Sequence, residues 1–222
     1  MQRTLVILAL ILCPALAKAG AWMREPGQTF VSFSTSSDIQ SGGGLRFDDG
    51  VSIFVDHGLR PGLTIGATGW STGKVTEVMA FAALPVATQS RDNWAITLGL
   101  GGYRDRGQAN RPIVQLAASW GRGFVTSLGS GWIEAETSIT RRMRPGLTVF
   151  KANLTLGLSH SEKGKVIVQV FTSKEGAGAI TAKLAPSYAL RISGRTEVVF
   201  GGTFGVVGDR TRQVSIGTWM SF

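Results

Sequence analysis

The chain has 222 residues with 23 Lys and Arg against 14 Asp and Glu, so it is basic, and its length suits one domain. Its single cysteine, Cys13, falls in the extreme N-terminal segment. A chain that loses that segment has no thiol, which excludes disulfides, thiolate metal sites and a cysteine nucleophile.

That segment carries Arg3, an apolar run from Leu5 to Ala17 and then Ala17-Lys18-Ala19, a small-x-small cleavage pattern. It reads as a secretory signal peptide over residues 1–19, too short to span a bilayer, for which about 20 apolar residues are needed. Cys13 follows Leu12 where a lipoprotein site wants a small residue, so no lipid anchor is expected. Cleavage removes Arg3 and Lys18 and no acid, leaving a net charge of +7 over residues 20–222. An exported chain does not meet nucleic acid, and its cations are scattered among turns; the anionic neighbours expected at a bacterial surface are lipid head groups and lipopolysaccharide phosphates.

Beyond residue 19 no apolar run reaches 18 residues and no long stretch has helical spacing. What recurs is alternation with period two over 8 to 11 residues, broken by Gly, Pro, Asn, Asp and Ser. Trp94, Ile96, Leu98 and Leu100 share one face, opposite Ala95, Thr97, Gly99 and Gly101. Phe150, Ala152, Leu154, Leu156 and Leu158 oppose Lys151, Asn153, Thr155 and Gly157. The pattern predicts about twelve strands, with ten the alternative, centred near Val31, Ile53, Ile65, Phe81, Leu98, Leu116, Ala135, Leu154, Val168, Leu184, Phe200 and Ile216. Compact connections at 57–62, 89–93, 159–165 and 193–196, together with a longer one from Gly121 to Gly131, are placed on the periplasmic side. The segments 37–50, 72–76, 104–111, 141–146, 173–178 and 208–212 are then the outer loops. An all-β, closed antiparallel transmembrane barrel over residues 20–222 is expected, because inside lipid every backbone polar group needs a partner and an open sheet edge leaves some without one.

The final strand, Val214 to Phe222, puts Val214, Ile216, Met220 and Phe222 on one face and ends in an aromatic residue. Here the chain resembles the outer-membrane β-barrel proteins of Gram-negative bacteria, in the style of a small porin. The resemblance implies that this strand is the signal read by the barrel-assembly machinery, with Thr218 a minor departure from its apolar face.

By parity the lumen-facing polar set is Asp56, Gln115, Glu134, Glu136, Lys151, Asn153, Gln169, Lys183, Arg191 and Glu197, which reads either as a solute-selecting conduit or as a hydrogen-bonded plug. Of the tryptophans, Trp94 and Trp120 fall at strand ends on the outward parity, as an interfacial belt requires, whereas Trp132 and Trp219 fall inward. The catalytic inventory is thin. His57 and His160 are the only histidines and both are placed in periplasmic turns; the run His160-Ser161-Glu162 holds three triad residue types, but sequence neighbours point opposite ways on extended chain. Ser41-Gly42-Gly43-Gly44 lacks the Lys and Ser/Thr of a phosphate loop, and Asp38, Asp48 and Asp49 lack the bidentate Glu of a calcium loop. Arg104, Arg106 and Arg111 are candidate contacts for lipopolysaccharide phosphates. No cofactor and no metal is expected. The first reading is a non-enzymatic outer-membrane barrel acting as a small passive pore or a structural and surface component. Two other readings stand beside it: a lipid-active outer-membrane enzyme and a soluble exported β-barrel binding protein. The same alternation serves a soluble barrel with its apolar face inward.

Overall fold

The computed structural model describes residues 20–39, 45–89, 91–143 and 146–222. The signal segment 1–19 and the glycine run 42–44 lie outside the described residues, as do the side chains of Asp48 and Asp49. In chain order the strands are β1 (Thr29–Ile39), β2 (Leu45–Arg60), β3 (Leu63–Ser71), β4 (Val75–Gln89), β5 (Asp92–Asp105), β6 (Arg111–Thr126), β7 (Gly129–Arg142), β8 (Leu147–Ser159), β9 (Gly164–Glu175), β10 (Thr181–Arg191), β11 (Thr196–Val207) and β12 (Arg212–Ser221). Each pairs with its sequence neighbours, and β1 closes on β12 with Phe30 opposite Ser221 and Thr35 opposite Ile216, giving a closed barrel of twelve antiparallel strands. Closure removes both sheet edges, so every strand has a ladder on each side. Where Pro85 cannot donate to the ladder, the β4–β5 register shifts between Pro85 and Ala87, a bulge of the kind that accommodates proline.

All twelve expected strand centres lie in strands. Three expectations about connections are corrected. The segment from Gly121 to Gly131 is not a long connection: β6 runs to Thr126, β7 begins at Gly129, and Gly121 pairs with Glu134 while Phe124 pairs with Gly131. The glycines there erase the side-chain alternation without touching the backbone donors and acceptors, so the ladder continues where the pattern fades. His57 is in β2, paired with Thr29 and Ile65, and not in a turn. Residues 38–39 and 45–50, expected in the first loop, belong to β1 and β2, with Asp38 paired with Arg46 and Ile39 with Leu45.

The large apolar side chains point outward. Leu100 is 67 % exposed, Leu98 57 %, Phe150 50 %, Phe200 49 % and Ile216 48 %, and such residues recur on alternate positions around the cylinder. Transfer of each from water into hydrocarbon is favourable by ~1.5–3 kcal/mol, whereas soluble monomers rarely expose a continuous apolar patch beyond a few hundred Å². The orientation corrects the soluble alternative, which needs this face inside. Trp94 and Trp120 meet on the outer surface with ring centroids 6.3 Å apart. The Trp120 Nε1–H donates to Asp92 Oδ1 at 3.1 Å. Both rings lie at the end that carries the start of β1 and the end of β12, which we term the inner mouth.

Candidate functional site

The inward positions carry the polar residues. On β7, Glu134, Ser138, Thr140 and Arg142 are all buried on one face while Ile139 on the opposite face is exposed. Asp56 and Glu197 share the buried class; Gln115, Glu136, Lys151, Asn153, Gln169, Lys183 and Arg191 occupy the same inward parity with intermediate exposure. They do not form one constellation. Instead they join short lateral bonds: between neighbouring strands, Gln115 to Thr140 at 3.0 Å, Asn153 to Glu136 at 3.4 Å and Gln169 to Thr155 at 3.2 Å; and, reaching past β10, Lys165 of β9 to Glu197 of β11 at 2.7 and 2.9 Å, with Arg191 of β10 at 3.2 Å on the same carboxylate. The Glu197 carboxylate is thereby paired with two bases, which satisfies that buried charge.

The inner mouth is filled by a chain segment that the periodicity analysis does not assign. Residues 20–26 enter the barrel before β1 begins. The Ala21 N–H donates to Glu134 Oε1 at 3.2 Å on β7. The Arg24 N–H donates to Thr64 Oγ1 at 2.9 Å on β3, and its Nε donates to Asp56 Oδ1 on β2 at 2.7 Å. In the circular strand order β7 lies diametrically opposite β1, so these bonds carry the segment across the full width of the mouth. Trp22, together with Val199 and Trp219, packs against a buried inward cluster of Trp132, Ile167 and Ala189. The Arg24 guanidinium sits 4.7 Å above the Phe30 ring, and Phe30 in turn meets Trp219 and Phe54 edge to face. Inward Trp132, which fits no interfacial belt, is thus part of the apolar seat of Trp22, and inward Trp219 packs on the same cluster.

The wall is shaped for this segment. A Cβ at Gly121 would collide with the Trp22 ring and with Ala21, and one at Gly58 with the carbonyls of Arg24 and Glu25. Pro26 bridges to Gly58, and the Gly27 N–H donates to the Gly58 carbonyl at 2.8 Å. Spacing alone does not reveal this seat; the one sequence signal is a pair of inward tryptophans inside a polar set.

A cavity of about 190 Å³ lies between β1 and β9–β12, lined by Ser32, Ser34, Gln169, Ser187, Thr203 and Ser215 and equally by apolar groups, among them Phe171, Val199 and Trp219. At the opposite, outer mouth the described residues that narrow the wall are strand side chains. Arg142 lies 3.9 Å over the Tyr103 ring, 3.2 Å from Glu175 and 3.8 Å from Glu77, beside the cluster Met79, Tyr103 and Ile113. Across the mouth, Lys183 pairs with Asp209 at 3.2 Å. Burial pushes the Asp209 carboxyl up, but hydrogen bonds from Thr211 and the Lys183 ammonium outweigh it and hold the group below the usual carboxylate range.

The two histidines have local partners. His57 Nδ1 lies 2.8 Å from the Thr29 hydroxyl across the β1–β2 pair, and His160 stacks on Tyr188 with centroids 5.8 Å apart. The Ser161 hydroxyl accepts from the Gly164 N–H at 2.9 Å, holding the β8–β9 turn, so the three consecutive residues of that turn do not converge. Among the described residues no group of three or more His, Cys, Asp or Glu is arranged to hold a metal ion. Arg111 is tied to Asp105 at 3.4 Å and to Gln108, while Arg104 and Arg106 are exposed at the outer mouth.

A closed twelve-stranded barrel with an apolar exterior and a polar interior has the fold of outer-membrane β-barrel proteins. No family model and no curated protein matches the sequence. Among solved structures it is similar to an outer-membrane channel from Pseudomonas putida F1, with 10 % identity, a TM-score of 0.61, and 92 % of this chain and 99 % of that one covered. It is also similar to the KdgM porin in complex with disordered oligogalacturonate, with 10 % identity, a TM-score of 0.57, and 88 % and 99 % covered. The translocator domain of the autotransporter NalP from Neisseria meningitidis follows at 11 % identity, a TM-score of 0.51 and 90 % of each chain. At these identities the likeness is one of fold.

Proposed function

We propose that the chain is a non-enzymatic, passive pore of the bacterial outer membrane for small polar solutes, closed at its inner mouth by residues 20–26. The observation that carries the reading is the polar, hydrogen-bonded interior with a cavity of about 190 Å³ enclosed by an exterior of exposed leucine and phenylalanine. A twelve-stranded barrel lies between the side-chain-filled eight-stranded kind and the open channels of 16 to 18 strands, so a short segment suffices to block it. In this reading Asp56, Gln115, Glu134, Glu136, Lys151, Asn153, Gln169, Lys183, Arg191 and Glu197 line the solute path, with both signs of charge present. The face of Val214, Ile216, Met220 and Phe222 addresses the assembly machinery, and Arg104 and Arg106 meet lipopolysaccharide phosphates.

Planar-bilayer conductance of the processed protein tests the reading, alone and with Trp22→Ala and Arg24→Ala combined. The double variant removes the ring from its cluster and frees Asp56 to hydrate. Discrete openings, more frequent in the variant, are expected. A barrel that inserts stably and never conducts in either form would sink the pore and favour a structural or surface role.

A further inference from the structure

The segment that closes the inner mouth starts at a carboxylate with no ion-pair partner among the described wall residues. Glu134 is 6 % exposed, and its Oε1 accepts the Ala21 N–H. Asp56, Glu77 and Glu197 are also buried on the inward face, and each faces a basic side chain, Arg24, Arg142 and Lys165 respectively. Among the described residues Glu134 forms no such pair, and the next inward residue on β7 is another acid, Glu136, itself held by Asn153. A buried carboxylate without a counter-ion is costly and otherwise takes up a proton, so a positive charge at its side is what would keep Glu134 ionised here.

Gly20 stands where that charge belongs. A Cβ on it would overlap Glu134 Oε1 and lie 3.1 Å from the Ser119 hydroxyl, so the Gly20 backbone lies against this carboxylate. We infer that the α-ammonium of Gly20, freed by cleavage after Ala19, is the counter-ion of Glu134, and that this pair fastens the segment across the mouth. The inference rests on the reading of residues 1–19 as a cleaved signal. In the unprocessed chain the Gly20 nitrogen is a neutral amide. Hydrolysis adds water across the Ala19–Gly20 bond, leaving a carboxylate on the released peptide and an amine on Gly20. An α-amine ionises near pH 7.7–8.0 and is mostly cationic at neutral pH. Export processing therefore creates the charge that closes the mouth, and a mature N-terminus one residue longer or shorter does not place it.

The test is acylation of the α-amine of the processed protein, folded in detergent and then unfolded, with N-hydroxysuccinimidyl acetate at neutral pH and peptide mass spectrometry as readout. The chain is expected to begin at Gly20, and its amine to react on the order of tenfold or more slowly in the folded barrel, as burial of a paired charge requires. Glu134→Gln should erase that difference while heat-modifiable gel migration shows the barrel intact. If Glu134→Gln does not fold, Gly20→Ala makes the same comparison, since its methyl and the Glu134 carboxylate cannot occupy the same place. A different N-terminus, equal reactivity in the two states of the wild type, or protection unchanged in the variants overturns the inference. Failure of every form to conduct would count against the pore reading alone, because the labelling contrast does not depend on ion flow.

Discussion

The two mouths of the barrel are narrowed by different means. At the inner mouth a segment covalently continuous with β1 spans the opening and seats one ring, Trp22, against a buried apolar cluster, with Arg24 on Asp56 at 2.7 Å. At the outer mouth no such segment is involved among the described residues, and the narrowing comes from Arg142 and its neighbours on β4, β5 and β9. A tethered plug can leave without unfolding the wall, because its contacts are not part of the ladder. A wall-borne ion pair cannot leave, so its loss appears as stability. The inner mouth is therefore the place to alter conduction and the outer mouth the place to alter stability.

Arg142→Ala should give the largest effect. It leaves Glu77 buried without its cation and strips the guanidinium from Tyr103, costing about 3 kcal/mol. Equilibrium unfolding in guanidinium from lipid vesicles reads this out, and an unchanged midpoint would break the contrast between the mouths. Gly121→Val comes next. Its side chain collides with Trp22 and Ala21, an overpacking penalty of about 1–3 kcal/mol borne by the segment and not by the wall. Conducting events should rise about tenfold, the ratio that roughly 1.4 kcal/mol commands, with little shift in the unfolding midpoint. Lys165→Ala, although at the inner mouth, should behave as a wall substitution. Its two bonds to Glu197 are lost, but Arg191 still holds that carboxylate at 3.2 Å, so the cost is about 2 kcal/mol with conductance unchanged.

The smallest effect is expected from Asp209→Asn. A carboxyl held below its unfolded value stabilises the fold above that value, near pH 4, and the contribution is lost as the pH falls through the folded value. Wild type and variant should thus differ slightly at neutral pH and converge below about pH 4. A gap that persists in acid would assign the effect to the lost Thr211 hydrogen bond geometry rather than to charge.

Much of the barrel was legible because strand alternation is a local property. Leu98 and Leu100 oppose Thr97 and Gly99 whatever surrounds them, and the centres of all twelve strands follow from such runs. Legibility failed where glycine replaces the informative side chain, as at Gly121, Gly123 and Gly131, where pairing continues on backbone hydrogen bonds alone. It failed also at Gly20–Pro26, which has no periodicity because its partners are on β2, β3, β6 and β7 and not within itself.

The sequence by itself determined the strand set, the parity of each side chain and the pairing of polar with polar and apolar with apolar, since a period of two admits no other partition. It did not determine which face is outside, because both a soluble and a membrane barrel satisfy the same alternation. Only the closed structure, with Leu100 exposed and Ser119 buried on neighbouring strands, settled that. The occupant of the inner mouth was likewise a tertiary matter: Trp22, Trp132 and Trp219 share one cluster only when twelve strands bring the start of β1 and the end of β12 to one rim.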